Sequence, residues 1–164
     1  MAFVNSIRSV VKLRKLEINR TKRLLRKAAN VEDLRKLAKR RLPIGVFDYI
    51  DGGAEDEITL RKNVEAYRKV SFKPRVLRDM ANIDTSTSLF GRKLAFPLVL
   101  APTGFTRIAH SEGELAVVKA ATRAGIPFTL STMATRSIEE CASVAESDTR
   151  LWFQIYTWRD RSVV

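Results

Sequence analysis

Three short apolar runs, at residues 98–101, 126–130 and 151–156, divide the second half of this 164-residue chain at near-regular intervals. None alternates apolar with polar residues. That is the pattern of parallel strands covered on both faces. Between them lie segments with helix start signals. Ser111-Glu112-Gly113-Glu114 has the S-x-x-E spacing of a capping box and predicts a helix over 112–124, ended by Gly125. Ser137-Ile138-Glu139-Glu140 repeats the spacing and predicts a helix over 138–145. A further helix is expected from Arg159 onward. Strand–helix alternation of this kind predicts a parallel α/β fold, either a doubly wound sheet or a (β/α)8 barrel. No G-x-G-x-x-G follows a strand, which counts against a dinucleotide fold. In both architectures ligands bind beyond the strand C-terminal ends. Those ends are Ala101-Pro102-Thr103-Gly104, Ser131-Thr132-Met133 and Gln154-Ile155-Tyr156, each polar after an apolar strand.

The first half reads differently. Asn30 is placed to cap a helix with Glu32 and Asp33 in its first turn, and Val31, Leu34, Leu37 and Ala38 form one stripe. Pro43 stops that helix and opens another, whose stripe is Ile44, Phe47 and Ile50 and which Gly52-Gly53 ends. A third helix is predicted over about 55–69, acidic at its start and basic at its end. Two extended runs around Gly91-Arg92 predict a hairpin.

Charge is unevenly placed. The net +12 comes almost wholly from residues 1–41, which carry 14 Lys/Arg and 3 Asp/Glu, whereas residues 42–164 carry 16 and 15. The basic balance therefore describes an arm, at residues 1–29, and not the globular body at 30–164. Such an arm suits an anionic membrane surface, at roughly 1 kcal/mol per basic residue close to it. Phe3 is its lone aromatic, so nucleic-acid binding is the weaker form of the same idea. The opening MAFVNSIRSVVKLRK has the basic, acid-poor composition of a transit peptide, but a partly helical arm is the plainer reading. No apolar run approaches the ~20 residues that span a bilayer. One cysteine, Cys141, excludes an intrachain disulfide, and one histidine, His110, excludes a multi-histidine metal site; no metal is expected.

Five segments, taken in order, carry a resemblance: FDYIDGGAEDE (47–57), SFKPRVLRDM (71–80), PLVLAPTGFTRIAHSEGE (97–114), GIPFTLSTMATRSIEE (125–140) and WFQIYTWRDR (152–161). Over about 43–161 the chain resembles the FMN-dependent α-hydroxy-acid oxidases and dehydrogenases, and its arm resembles their L-lactate dehydrogenase branch of actinobacterial type. The resemblance implies a (β/α)8 barrel, preceded by a helical segment, with FMN at its C-terminal face. It implies that backbone groups of Pro102, Thr103 and Gly104 line the flavin near N5, and that Ser131 and Gln154 hydrogen-bond its ring system. Gln154 offers a donor and an acceptor in one plane, which suits a pyrimidine edge. Tyr156 is then the catalytic hydroxyl, set on the substrate's reacting oxygen, and Tyr49 holds the substrate carboxylate. Two residues depart from the pattern: Met133 stands where some oxidases carry Trp, and Gly104 where several carry Ala.

The implied reaction oxidises a short 2-hydroxy acid, L-lactate first among them, to the 2-oxo acid. Hydride reaches flavin N5 directly, or a carbanion forms first; the final acceptor is oxygen, quinone or a cytochrome. The resemblance also implies a homo-oligomer, cytoplasmic or peripheral on the inner face of the plasma membrane. Three barrel strands are expected here of the eight that a barrel needs. The family's catalytic His, its substrate-binding Arg and its flavin-contacting Lys belong to later strands. The chain is therefore expected to be the N-terminal part of such an enzyme, inactive and poorly folded alone. The alternative is a basic membrane-surface or nucleic-acid interaction module without catalysis. His110 is expected to be structural, Cys141 a small buried hydrophobe, and Trp152 and Trp158 packing residues.

Overall fold

The computed structural model describes residues 18–160 and residue 162, in two compact units that divide between Gly52 and Gly53. The first seventeen residues of the basic arm, with their transit-peptide reading, lie outside the described residues. So does most of the helix expected from Arg159; residues 159 and 160 form a bend.

The N-terminal unit holds α1 (Arg20–Leu25), α2 (Val31–Arg41) and α3 (Ile44–Asp51). Asn30 caps α2 as expected, its side chain accepting the Asp33 N–H at 2.9 Å. Glu32 and Asp33 occupy the first turn of α2 and Lys39, Arg40 and Arg41 the last, each sign at the dipole end that favours it. Pro43 precedes α3, where its missing N–H costs nothing. Phe47 is the buried residue of α3, with the Lys39 ammonium 5.6 Å from its ring centroid. Arg35 grips Asp51 with two guanidinium nitrogens, joining α2 to the end of α3. The α3 helix does end at Gly52, but with φ −77°, so no left-handed glycine cap is involved.

The C-terminal unit begins with α4 (Ile58–Arg68). It starts later than the acidic run suggested. Glu55 and Glu57 both take positive φ, and the Glu57 carboxylate turns back to accept the Gly53 N–H at 3.1 Å. Strands β1 (Thr87–Leu89) and β2 (Arg92–Leu94) form the expected hairpin. Its two-residue loop is Phe90-Gly91, at φ 50° and 71°, the left-handed pair that suits the twist of a tight hairpin. Arg92 opens β2 and is no part of the turn.

The α/β part follows: α5 (Glu114–Ala124), β3 (Phe128–Leu130), α6 (Ile138–Ser143) and β4 (Leu151–Phe153). Strands β3 and β4 are parallel, with Phe128 opposite Leu151 and Leu130 opposite Phe153. The run at 98–101 reaches β3 through one parallel bridge, Leu100 to Phe128, with the Leu100 N–H donating to Pro127 O at 3.0 Å. It is shorter than predicted because Pro97 and Pro102 flank it, and proline cannot donate to a ladder. Pro127 trims the start of β3 in the same way. At the other end, the Gln154 N–H still donates to Leu130 O at 2.8 Å, one residue past β4.

Phe128 and Leu130, two apart on β3, share a face and pack with Val118 and Ala121 of α5, Ile126, and Cys141 of α6. Gly125 ends α5 at φ 64°, and an added Cβ there would lie 3.1 Å from the Ala95 Cβ. Ser137 and Glu140 form the predicted capping box, with hydrogen bonds of 3.1 and 2.9 Å. The first box does not form. Gly113, at φ 55° and ψ −133°, precedes α5 without a side-chain cap, so the helix begins at Glu114 and that carboxylate is engaged elsewhere.

Candidate functional site

The C-terminal ends of β3 and β4 carry a connected set of polar groups. The Ser131 hydroxyl, 6 % exposed, lies 3.4 Å from Gln154 Oε1, and the Thr132 N–H donates to the same oxygen at 3.3 Å. Thr132 Oγ1 donates to the Gln154 carbonyl and accepts the Tyr156 N–H at 3.2 Å. The Met133 N–H donates to Ser131 Oγ at 3.1 Å. The strands explain the meeting: Leu130 and Phe153 are register partners, so the residues that follow each emerge side by side.

This arrangement refines the expectation for Gln154. Its carboxamide oxygen is engaged by Ser131 and Thr132, which fixes the plane of the group and turns its NH2 into the donor available to a ligand. Ser131 both tightens the following turn and bonds Gln154, so the two readings of it are compatible. A hydroxyl has one proton and two lone pairs, which leaves one lone pair for a ligand. Thr132 is the residue that sequence reasoning passed over. Its hydroxyl sets the distance between the two strand ends and positions the Tyr156 backbone. The available signal was a small polar residue directly after a buried strand.

Residues 102–104 follow the Leu100 bridge. Pro102 and Thr103 are exposed and Gly104 is half-buried. A Cβ on Gly104 would sit 3.0 Å from the Met133 Cβ, so the absence of a side chain at 104 lets this loop lie close against the one after β3. The next residue, Phe105, takes φ 55° and donates its N–H to Met133 O at 3.0 Å, tying this loop to the one after β3. Tyr156 is half-exposed, with its ring edge-on to Trp158 at 5.9 Å. Tyr49 lies on α3 in the N-terminal unit, also exposed.

Below these loops sits Glu114, 1 % exposed. Its carboxylate accepts the Thr135 N–H at 2.9 Å and the Thr135 hydroxyl at 2.7 Å. Burial pushes its pKa up, but hydrogen bonds from Thr135, from its own N–H and from Thr106 outweigh that and hold the carboxyl below the usual glutamate range. The tempting groups elsewhere have structural roles. His110 Nδ1 accepts the Glu112 N–H at 3.3 Å within a turn. Burial pushes the Cys141 thiol up, and Glu114 and Glu140 push it the same way, which suits an inert core residue. Trp152 packs edge-on against Phe90 at 5.7 Å. Among the described residues no three His, Cys, Asp or Glu gather as metal ligands.

Comparison with known proteins shows the family. Residues 38–164 match the family described as FMN-dependent dehydrogenase. A putative L-lactate dehydrogenase of Mycobacterium tuberculosis (strain ATCC 25618 / H37Rv) is 42% identical over 158 residues, covering 96% of this chain and 38% of that protein. Glycolate oxidase of Spinacia oleracea is 44% identical over 135 residues, covering 82% of this chain and 36% of the oxidase. A mandelate oxidase variant solved with the monooxide FMN adduct superposes at a TM-score of 0.72 and 40% identity, over 79% of this chain and 40% of that one. The chain thus spans less than two fifths of the length of these curated relatives.

Proposed function

The chain belongs to the FMN-dependent dehydrogenase family, and on that premise we propose that the complete protein oxidises a short 2-hydroxy acid, L-lactate foremost, to the 2-oxo acid. In this reading β3, β4 and the strand-like run at Leu100 are the first three strands of a (β/α)8 barrel. The observation that carries it is the joining of Ser131, Thr132 and Gln154 across the C-terminal ends of adjacent parallel strands. The 42% identity to a putative L-lactate dehydrogenase, over nearly the whole chain, favours lactate among the hydroxy acids.

FMN is the family's cofactor, and the donor set here fits it. A pyrimidine edge presents carbonyl oxygens and an N–H; the Gln154 NH2 and the remaining Ser131 lone pair complement them. Backbone groups of Pro102, Thr103 and Gly104 would line the ring edge near N5. When bound, FMN supplies the two-electron acceptor of the oxidation. The chain's own residues bind and orient. Tyr156, its backbone held by Thr132, directs its hydroxyl to the substrate oxygen that becomes a carbonyl; Tyr49 donates to the substrate carboxylate. His110 is bound to Glu112 in a turn, so the base that takes the hydroxyl proton is assigned to the remainder of the family-length protein.

The arm at 1–29 is assigned a separate task from the body at 30–164: contact with the anionic inner face of the plasma membrane, near a quinone or cytochrome acceptor, with oxygen as the other candidate. The enzyme would be a homo-oligomer and would not engage nucleic acid. No helix among the described residues is long and apolar enough to cross a membrane.

The test is anaerobic reduction of the purified complete protein. L-lactate or a close 2-hydroxy acid should bleach the flavin absorbance. A flavoprotein that no small 2-hydroxy acid bleaches would end this assignment. Sedimentation with vesicles, with and without anionic lipid, tests the arm separately.

A further inference from the structure

Glu114 is a buried carboxylate that the proposed reaction does not use. It stands at the first residue of α5, yet it does not cap its own helix in the manner the sequence suggested. It reaches instead to the loop after β3, where Thr135 gives it both an N–H and an O–H. Thr106 Oγ1 donates within its own loop, to Thr103 O at 3.5 Å. Glu114 therefore ties the start of α5 to the loop after β3 through Thr135.

The loop after β3 in turn holds the 102–106 loop, by the Phe105 N–H on Met133 O at 3.0 Å and by the approach of Gly104 to Met133. Phe105 is a bulky residue at φ 55°, a conformation that persists only where surrounding contacts impose it. The residues just above these links are 102–104 and Ser131, the groups assigned to the flavin.

We propose that Glu114 is a positioning residue for the cofactor face: its carboxylate pins the 131–135 loop to the start of α5, and because the 102–106 loop hangs from that loop at Met133, this fixes the separation of Gly104 from Ser131. The proposal rests on the flavin reading of those loops. It differs from a purely structural role, because the fold of α5 against β3 is secured by Val118, Ala121, Phe128 and Leu130 without it.

The experiment uses the complete protein, stripped of FMN and titrated with it. Melting is followed on the apoprotein, since bound cofactor raises the transition by itself. Glu114→Gln keeps shape and one acceptor but loses charge; Thr135→Val removes the hydroxyl and keeps the N–H. Each should weaken FMN binding by about tenfold, which corresponds to losing one hydrogen bond to a charged group. The flavin absorption band should also shift, while the apoprotein still unfolds cooperatively. The double variant should be no weaker than the worse single variant, because both remove the same link. Should Glu114→Gln fail to fold, Thr135→Val alone decides. Unchanged FMN affinity in a folded variant, or a lowered apoprotein melt without loss of affinity, overturns the proposal. A wild-type protein that takes up no FMN overturns the flavin reading as well, and the two failures are thereby told apart.

Discussion

At the scale of single residues, the proposed function divides this site between groups that touch ligands and groups that aim them. Tyr49 and Tyr156 are proposed for the first kind. In the complete protein Tyr49→Phe should raise KM for the hydroxy acid, by about 1–2 kcal/mol for one hydrogen bond to a charged partner. Tyr156→Phe should act mainly on kcat, because the oxygen it faces changes charge during reaction. Steady-state kinetics separate the two; equal effects on KM alone would refute the division. Glu114 is proposed for the second kind and leaves a pH signature. Its folded pKa lies below the ordinary value, so in acid the native state binds fewer protons than the unfolded chain. Its stabilisation is therefore complete above the ordinary glutamate value of about 4.3 and is lost as pH falls through the lower folded value. The neighbouring Cys141, its thiol held above its usual value, stays neutral throughout that range. Urea unfolding of wild type and Glu114→Gln should thus converge at acid pH; curves that stay parallel down to about pH 3 would contradict this.

At the scale of elements, two similar start signals had different outcomes, and the difference is local geometry. Ser137 sits in extended backbone, at φ −75° and ψ 164°, so its hydroxyl can reach the Glu140 N–H. Two residues after Ser111, Gly113 takes a conformation that breaks the approach, and Glu114 is drawn to Thr135 instead. Ser137→Ala should therefore destabilise the protein by about 1 kcal/mol, as loss of an N-cap does. Ser111→Ala should change stability by less than about 0.5 kcal/mol, the range of ordinary surface substitutions. Chemical denaturation measures both, and equal costs would mean that the first box forms in solution. Gly125→Ala tests the other end of α5. Its left-handed φ and the 3.1 Å approach to Ala95 predict a loss larger than the roughly 1 kcal/mol typical of a strained Gly→Ala change alone.

At the scale of the whole molecule, the described residues leave a large apolar margin along β4 and beyond it. Phe153, Ile155, Tyr156 and Trp158 are each about half-exposed, at 47%, 50%, 49% and 51%. Among the described residues β4 pairs with β3 alone, so its other side offers unpaired backbone groups. Edges of this kind invite pairing between chains. The 164 residues expressed by themselves should associate at micromolar concentration and retain no flavin, whereas the family-length protein should stay dispersed. Sedimentation velocity reads the difference. A monomer with a sharp melt and bound FMN would mean that this segment folds as an independent unit.

The parallel α/β plan, the helix between each pair of strands, the α2 cap and the polar strand ends were all legible in sequence, because each is written in local chemistry. Asn30 caps with its own side chain, Ser137 and Glu140 satisfy each other, and Phe128 and Leu130 are apolar at a spacing that shares a face. Resemblance added Ser131, Gln154, Tyr156 and Tyr49 as candidates, but not their mutual arrangement. That needed the register of β3 on β4, which sets Ser131 and Thr132 against Gln154 across more than twenty residues of intervening chain. Thr132 and Glu114 carry no local signal for what they do. Threonine after a strand and glutamate at a helix start are common, and each acts here through a partner from another loop. Such pairings are decided by tertiary packing, because a buried carboxylate or hydroxyl must find a partner wherever the fold supplies one.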